Sequence, residues 1–214
     1  RALQERSLLR KIMSFSKPGA RMLDVGAGSG IMVEEAGKLG LRAEGVEPSN
    51  ALAAHAQSLG LAVHHGVMPH VDVRAPFDIV TLVDVVEHVP DPVALLGHLR
   101  AVADETGVVA VVTPDRESFM ARLLGFRWWH YRIAHIGYFS RANLEAALRK
   151  AGPEPVAFVR PTWFFPLGYI LDRLMQYVPK WLRFRPPAWS DKVTVPLNLF
   201  DSMMIIARPL SEKR

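Results

Sequence analysis

Apolar and polar residues follow two regular patterns along the first two-thirds of the chain. Short apolar runs are separated by segments in which apolar residues recur every three or four positions, as they do on one face of a helix. The runs predict strands at residues 21–25, 41–46, 61–65, 77–83 and 108–112, with two later strands at 156–160 and 202–207. Strands that alternate with helices indicate parallel βαβ units.

Residues that favour helix ends separate these strands. Ser49 is placed to cap a helix that runs through Leu59, and Asp91-Pro92 supplies the cap and first residue of another. Ser140 is placed to cap a helix that stops at Gly152-Pro153. The chain therefore predicts an α/β fold with a mostly parallel seven-stranded sheet and helices on both faces.

The turn after the first strand is the strongest chemical signal. Residues 23–30 read LDVGAGSG, so glycines alternate where the strand turns into a helix and a ligand can approach the bare backbone. The dinucleotide-binding fingerprint would place its third glycine at Ile31. An acidic residue, Glu47, ends the second strand, where a carboxylate can accept hydrogen bonds from the two hydroxyls of a ribose. A plain strand-to-helix loop is the alternative interpretation.

Length and composition predict one domain, residues 1–214. The chain has 214 residues, a formal charge of +5 and no cysteine, which excludes disulfides, thiolate metal sites and a cysteine nucleophile. No run approaches the ~20 apolar residues that cross a bilayer. We expect a cytoplasmic protein, with contact to the inner face of the membrane left open. Because the sequence starts at Arg1, we also expect a longer reading frame before it or removal of a leading segment.

Two segments interrupt the alternation of strands and helices. Residues 115–139 and 161–197 are rich in aromatic residues, arginine and proline. Both follow predicted strands, and ligands of open α/β sheets bind beyond the carboxyl ends of strands. These two insertions are therefore the predicted sites of substrate selectivity.

Four sequence motifs, read together, resemble those of a known family. LDVGAGSG followed by GVEPSN resembles the first motif and the ribose-binding acid of class I S-adenosylmethionine (SAM)-dependent methyltransferases. The resemblance continues through FDIV and DVVEHV (77–80 and 84–89), then 109–114 and HIGYFSRANLEAAL (135–148). The last motif is similar to the branch that contains the ubiquinone-biosynthesis O-methyltransferases. The resemblance covers residues 22–152 and implies a Rossmann-like class I methyltransferase fold.

The resemblance also implies which residues bind SAM and its product S-adenosylhomocysteine. Asp24 would hold the amino group of SAM, Glu47 would bind the ribose hydroxyls, and Asp84 would line the cleft. The remaining implied contacts are Gly26, Ala27, Gly28, Gly30 and Pro48 around the turn, and Val67 and Met68 over the adenine. Many relatives carry an acid in the adenine loop, and here that segment reads GVMPH, with Asp72 further along.

His88 is the first catalytic candidate, and His135 and His130, with Tyr138 and Tyr131 beside them, are weaker ones. The methyl group of SAM is already on a good leaving group, so the enzyme must mainly align the acceptor, and a base is needed only when the acceptor arrives protonated. His88 follows the fourth strand near Asp84, and histidine titrates near neutral pH. A purely structural hydrogen bond is an equal alternative for His88.

No metal site is predicted from the sequence. The adjacent His64 and His65 point to opposite faces of a strand, His70 has no partner at a metal-binding spacing, and H-E-x-x-H is absent.

The insertions leave two questions open. Residues 128–131 (WWHY) can form a stacking platform or anchor a lid. Apolar residues from Leu167 to Val178 share a helical face and precede a basic, aromatic stretch, so residues 167–185 are either a peripheral membrane contact or a lid or dimer helix. We expect a monomer or a homodimer.

The function expected is methyl transfer from SAM to a small molecule, with oxygen as the favoured acceptor atom and a quinone-like, lipid-linked or glycosyl acceptor. An RNA methyltransferase is an alternative, although nucleic acid is disfavoured as a partner because no RNA-binding module is visible and the basic residues are scattered. The same residues also leave open a non-catalytic SAM-binding protein and a nicotinamide-dependent oxidoreductase, the latter disfavoured by the glycine spacing.

Overall fold

The computed structural model describes residues 1–175 and 178–209. Its main feature is a seven-stranded sheet in the order β3-β2-β1-β4-β5-β9-β6. The strands of this sheet are β1 (Arg21–Val25), β2 (Arg42–Glu47), β3 (Val63–His65), β4 (Phe77–Val83), β5 (Ala103–Pro114), β6 (Pro153–Val159) and β9 (Ser202–Pro209). All neighbouring pairs are parallel except those that β9 makes with β5 and β6.

Helices cover both faces of the sheet, as predicted. They are α1 (Ala2–Met13), α2 (Ile31–Lys38), α3 (Asn50–Ser58), α4 (Pro92–Val102), α5 (Phe119–Leu124), α6 (Arg141–Ala151) and α7 (Leu167–Met175). On one face, Leu96 of α4 and Leu148 of α6 are buried against alternate residues of the central strands. On the other face, Leu9 of α1 and Met32 of α2 pack against the intervening residues of the same strands. Because successive strand residues point to opposite faces, a strand buried on both sides needs a near-continuous apolar run.

The helix-capping predictions are confirmed by side-chain geometry. The hydroxyl groups of Ser49 and Ser140 accept hydrogen bonds from the backbone of Leu52 and Asn143, and the Asp91 carboxylate accepts one from Ala94. These side chains satisfy backbone N–H groups that have no partner inside the helix.

Several predicted boundaries differ from the observed ones. Strand β3 begins at Val63, two residues later than predicted, and β5 extends well beyond 108–112 at its start. Neither α1 nor the separate hairpin of β7 (Trp163–Pro166) and β8 (Thr194–Leu197) was predicted. The predicted 167–178 helix is described as α7 as far as Met175; its residues 176 and 177 lie outside the described part, as do 210–214 of the predicted domain.

The strand order places the ligand-binding edge between β1 and β4. Connections from these two strands leave in opposite directions across the sheet, to β2 on one side and β5 on the other, which opens a crevice at their carboxyl ends. Strand β6 is antiparallel to β9, which is antiparallel to β5, so β5 and β6 run the same way. The two insertions, which follow β5 and β6, therefore start at the same edge as the crevice.

Among the helices in the described ranges, none combines the length and the apolar character needed to cross a bilayer.

Candidate active site

The glycine turn is held between the ends of two neighbouring strands. The backbone N–H groups of Gly26 and Ala27 both donate to the carbonyl of Val46, at 2.8 and 3.0 Å, which ties the turn to β2. Gly26 has a φ of +83°, and a Cβ added there would overlap the side chain of Val85 after β4. Gly28 also has a positive φ, of +55°, but a Cβ there would meet no atom within 4 Å. The space beside Gly26 is therefore filled by Val85, whereas the space beside Gly28 is empty, so a ligand can reach the backbone at Gly28.

Glu47 is fixed by hydrogen bonds to both of its carboxylate oxygens. It is 6% exposed. Its Oε2 accepts from the N–H of Gly28 at 2.8 Å, and its Oε1 accepts from the N–H of Ser49 at 2.8 Å. Each carboxylate oxygen can accept a second hydrogen bond. Glu47 thus sets the position of Gly28, and its oxygens can still accept hydrogen bonds from the hydroxyl groups of a ligand. The next residue, Pro48, is exposed.

Asp24 is buried beneath the turn at the end of β1. Its Oδ1 accepts a hydrogen bond of 2.6 Å from the Thr81 hydroxyl on the adjacent strand β4. Burial raises the pKa of Asp24 to about 6, the Thr81 hydrogen bond opposes that rise, and the charge of Glu47 adds to it. The side chain is therefore mostly ionised at neutral pH and ready to pair with a cation.

Two further carboxyl groups, Glu5 and Asp84, extend the pair formed by Asp24 and Glu47. Glu5 of α1 is buried, and its pKa is raised to about 7, first by burial and then by the charge of Asp24, with a smaller contribution from Asp84. Asp84 follows β4 with a φ of +52°, and burial raises its pKa as well. Glu47 and Glu5 each interact with Asp24, and Asp84 interacts with Glu5, so the four carboxyl groups form a linked set of repelling charges, the carboxylate pocket. Such a pocket favours a cationic ligand and disfavours the negative pyrophosphate of a dinucleotide.

The predicted adenine loop begins beside Glu47. The N–H of Gly66 donates to the Glu47 carbonyl at 2.9 Å, which places the start of this loop at the end of β2. Val67 is 49% exposed, whereas Met68 packs against the core beneath α4. An apolar pair of this kind can cover a flat ring, and no acidic side chain is needed for that contact.

The three catalytic candidates lie together at the crevice edge. The rings of His88 and His135 meet edge to face with centroids 4.7 Å apart, and the Tyr138 ring lies 6.1 Å from that of His135. The Tyr138 hydroxyl donates to the carbonyl of Arg132 at 3.2 Å. Burial lowers the pKa of His135, and the charge of His88 lowers it further. His135 is therefore mainly neutral at pH 7, which a general base requires.

Asp84 connects this histidine cluster to the carboxylate pocket. Burial raises the pKa of Asp84, and nearby positive charges lower it. The charge of His130 has the largest lowering effect, followed by those of Arg1, His88 and Arg132. On its other side, Asp84 raises the pKa of Glu5. Asp84 thus lies at the junction of the two halves of the site.

The 115–139 insertion is anchored by an acid that the sequence did not single out. Asp201, which immediately precedes β9 and is 4% exposed, accepts hydrogen bonds from Trp129 Nε1 at 2.9 Å and His130 Nε2 at 3.2 Å. Trp128 is 1% exposed. The WWHY segment therefore anchors the insertion, although its outer edge leaves Trp129 and Tyr131 partly exposed.

Sequence reasoning missed three other acids or hydroxyls of the site. Glu5 lies on a helix that carried no motif, Thr81 is in the middle of an apolar strand, and Glu87 was read only as part of a motif. Glu87 is 2% exposed, and its Oε2 accepts from the Thr113 hydroxyl at 3.0 Å. A charged residue within an otherwise apolar stretch was the available signal for Glu87.

Comparison with known proteins identifies the family. A sequence model described as a methyltransferase domain matches residues 1–157. The chain belongs to the methyltransferase-domain family. The expectation of a class I SAM-dependent methyltransferase domain with a Rossmann-like fold is thereby confirmed, and SAM is the cofactor of this class of domain.

Curated relatives match somewhat less than two thirds of this chain. A ubiquinone biosynthesis O-methyltransferase of Rhodopseudomonas palustris is 37% identical in an alignment of 145 residues that covers 62% of this chain and 57% of the relative. One from Cereibacter sphaeroides is 32% identical in an alignment of 152 residues that covers 64% of this chain and 62% of the relative. The matched region of this methyltransferase domain thus spans little more than half the length of these relatives.

Solved structures share the fold across nearly the whole chain. A SAM-dependent methyltransferase from Thermotoga maritima superimposes with a TM-score of 0.61 at 23% identity, covering 97% of this chain and 88% of the other. Because the sequence identity is only 23%, this similarity supports the fold of this methyltransferase domain and nothing about its substrate.

Proposed function

We propose that this protein transfers the methyl group of SAM to an oxygen atom of a small molecule. The observation that carries the proposal is the position of Asp84, which interacts electrostatically with the carboxylate pocket on one side and with His88 and His130 on the other. A donor bound at the pocket and an acceptor bound at the histidines would therefore meet at Asp84. Positioning of this kind supplies much of the rate of a methyl transfer.

The carboxylate pocket suits SAM in charge. SAM carries a sulfonium and an ammonium group, and the pocket presents the carboxylates of Asp24 and Glu47 beside the open backbone at Gly28. Asp24 would pair with the ammonium group and Glu47 with the ribose hydroxyls, while Gly26, Ala27 and Gly30 would shape the turn. SAM supplies an activated methyl group when bound, and the residues of this chain orient it.

Oxygen is the acceptor atom that best explains the histidine cluster. A hydroxyl group must lose its proton as it attacks, and His88, His135 and Tyr138 provide groups that can accept or relay one. The names of the curated relatives point the same way, since they describe O-methyltransferases of ubiquinone biosynthesis. We therefore favour a quinone-like, lipid-linked or glycosyl acceptor.

A lipid-linked acceptor also accounts for the exposed edge of the second insertion. Trp181 is 82% exposed and Phe184 is 54% exposed, and Lys180 and Arg185 stand beside them on the chain. Aromatic residues flanked by cations suit the headgroup region of an acidic membrane. We include peripheral membrane contact through the described part of residues 167–185 in the proposal.

The first experiment is turnover with methyl-labelled SAM. Purified protein and SAM are incubated in separate reactions with three acceptor pools: a panel of catechols and hydroquinones, a lipid extract, and total RNA. The proposal predicts S-adenosylhomocysteine together with a product heavier by one methyl group in a phenolic or lipid fraction. Labelled RNA would favour the RNA methyltransferase instead, and SAM binding without product in any pool would favour a non-catalytic binding protein.

Membrane contact has its own test in vesicle flotation. The protein should float with vesicles that contain anionic lipid, and Trp181→Ala combined with Phe184→Ala should reduce the floated fraction severalfold. Leu59→Ala is the matched control because Leu59 is 61% exposed at the end of α3. Equal flotation of the double variant and wild type would contradict the membrane part of the proposal.

A further inference from the structure

A buried carboxyl group on the first helix has an oxygen atom without a partner. Glu5 of α1 is 7% exposed, and its Oε2 makes no hydrogen bond although it is shielded from solvent. The neighbouring cation, Arg6, pairs with Glu35 of α2 at 2.7 Å and is therefore engaged elsewhere. Buried polar atoms are normally paired, so an unpaired carboxylate oxygen beside a binding site indicates that a ligand group meets it.

The direction of α1 brings Glu5 to the edge of the sheet that holds the crevice. After α1 the chain turns at the amino ends of the strands, where Lys17 pairs with Asp78 of β4 at 2.7 Å. The helix packs over the sheet through Leu9 and Ile12. Because its twelve residues span about 18 Å, roughly the length of β1, the helix begins near the carboxyl ends of the strands. Glu5, in its first turn, therefore lies at the same edge as the glycine turn.

Charged groups from both halves of the site act on Glu5. Its pKa is raised to about 7, first by burial and then by the charge of Asp24, with a smaller contribution from Asp84. The side chain of Arg1 and the amino group of the same residue lower it. Asp24 lies beneath the glycine turn, whereas Asp84 also interacts with His130. Glu5 therefore lies near the boundary between the carboxylate pocket and the histidine cluster.

The sulfur of a bound SAM molecule would have to lie near the same boundary. Its methyl group must reach the acceptor, while the ammonium group of the same molecule would pair with Asp24. SAM carries a positive charge on this sulfur, and S-adenosylhomocysteine does not. An unpaired carboxylate at this boundary would therefore face the one group whose charge differs between the donor and its product.

We propose that Glu5 recognises the positive charge on the sulfur of SAM and makes the pocket bind SAM in preference to S-adenosylhomocysteine. The inference rests on the donor-binding part of the proposed function. An ionised Glu5 attracts the sulfonium group in a buried site, where water and salt screen the attraction little. With the neutral sulfur of the product in its place, nothing offsets the cost of a buried negative charge, and Glu5 takes up a proton from solvent.

This exchange of a proton makes the preference for SAM depend on pH. Glu5 of the free protein titrates near pH 7, and a sulfonium group beside it would keep it ionised at lower pH. Each unit by which SAM lowers the pKa of Glu5 multiplies the ratio of SAM affinity to S-adenosylhomocysteine affinity by ten once the pH exceeds both pKa values. We expect this ratio to rise roughly five- to tenfold between pH 5.5 and 7.5.

The test measures both affinities by calorimetric titration at these two pH values. The two ligands share their ammonium and ribose groups, so the ratio of affinities cancels the contributions of Asp24 and Glu47. The ratio should rise in wild type, whereas Glu5→Gln should lose most of the rise. Glu34→Gln, on the exposed side of α2, is the matched control and should behave as wild type does. Ionisation of the ligands themselves is the same for all three proteins.

Two measurements supplement the affinities. Titration of wild type at pH 7 in buffers of different ionisation enthalpy should show that SAM binding releases more protons than S-adenosylhomocysteine binding, and this result needs no variant. Without ligand, wild type should lose stability as pH rises from about 4.5 to about 7, because the folded state holds the Glu5 proton more tightly than the unfolded state. Thermal melting of Glu5→Gln should show a smaller loss over this range.

The outcomes separate this proposal from the proposed function. A folded Glu5→Gln protein with the wild-type rise, or equal proton release with the two ligands, would overturn the role of Glu5 alone. A rise that depends on Glu5 in a protein that methylates none of the acceptor pools would support the role of Glu5 and overturn the proposed function. Absence of affinity for both ligands would overturn both.

Discussion

Replacement of Glu47 by glutamine provides a direct test of the donor pocket. The two carboxylate oxygens accept from Gly28 and Ser49, so both oxygens face N–H donors. Glutamine has the same shape but only one acceptor oxygen. Its NH₂ group must point at one of the two N–H groups, where two donors meet and no hydrogen bond forms.

The expected effect has a stability part and a binding part. Loss of one hydrogen bond to a charged acceptor costs about 1.5–3 kcal/mol of unfolding free energy. In a chain of this size that corresponds to a melting temperature lower by about 3–12 °C. The ribose loses one charged acceptor as well, and a similar loss of about 1.5–3 kcal/mol weakens SAM binding by about 10- to 150-fold.

The assay is calorimetric titration of SAM and of S-adenosylhomocysteine at a temperature where both proteins are folded. Glu44→Gln is the control, since Glu44 is on the same strand but its carboxylate contacts Arg21 at 3.0 Å and His64 at 3.3 Å. That variant should bind SAM normally, because neither Glu44 nor its partners Arg21 and His64 are among the proposed SAM contacts. A Glu47→Gln protein that is folded and binds SAM with wild-type affinity would refute the role given to this carboxylate.

Three further predictions follow from the geometry of the site. Gly28→Ala should cost only about 1–2 kcal/mol of stability, because residue 28 has a positive φ, yet it should weaken SAM binding strongly. Gly26→Ala should mainly lower the melting temperature, because the new Cβ would overlap Val85. Equal losses of stability in the two variants would contradict this prediction. The pKa of Asp24 is raised to about 6, and its ionised form would pair with the SAM ammonium group, so SAM affinity should rise roughly tenfold between pH 5 and 7. Because the folded state holds the Asp24 proton more tightly than the unfolded state, the SAM-free protein should lose stability as pH rises from about 4 to about 6. Titration with SAM and thermal melting at each pH check the two effects. Asp201→Asn should lower the melting temperature and speed proteolysis within residues 115–139, because a charged acceptor of Trp129 and His130 is lost; an unchanged cleavage pattern would contradict the anchoring role.

The sequence predicted the parallel part of the sheet because local chemistry determines it. Strand β4 is apolar at nearly every position since both faces are covered, and Ser49, Asp91 and Ser140 cap helices through contacts within three residues. Signals of this kind need no knowledge of distant residues. The same holds for the glycine turn and Glu47, whose predicted proximity follows from adjacent parallel strands.

The parts that were missed depend on contacts between distant residues. Asp201 holds Trp129 across 72 positions, and Glu87 meets Thr113 across 26. Helix α1 has a stripe of Leu8, Leu9 and Ile12, but its place over the sheet follows from packing and carries no motif. The hairpin of β7 and β8 pairs residues about 30 positions apart without a turn signal between them.

The difference between the two halves of the site has a chemical cause. A donor with an activated methyl group offers the same ammonium and ribose groups to every protein that binds it, and we propose that Asp24, Glu47 and the glycine turn meet those fixed groups here. The acceptor half must fit a different molecule in each enzyme and needs few obligatory groups. It is therefore built from insertions such as 115–139, whose histidines acquire neighbours only through the fold. Since His135 meets Glu87 and His88 only there, the acceptor chemistry of this domain is best sought in that insertion.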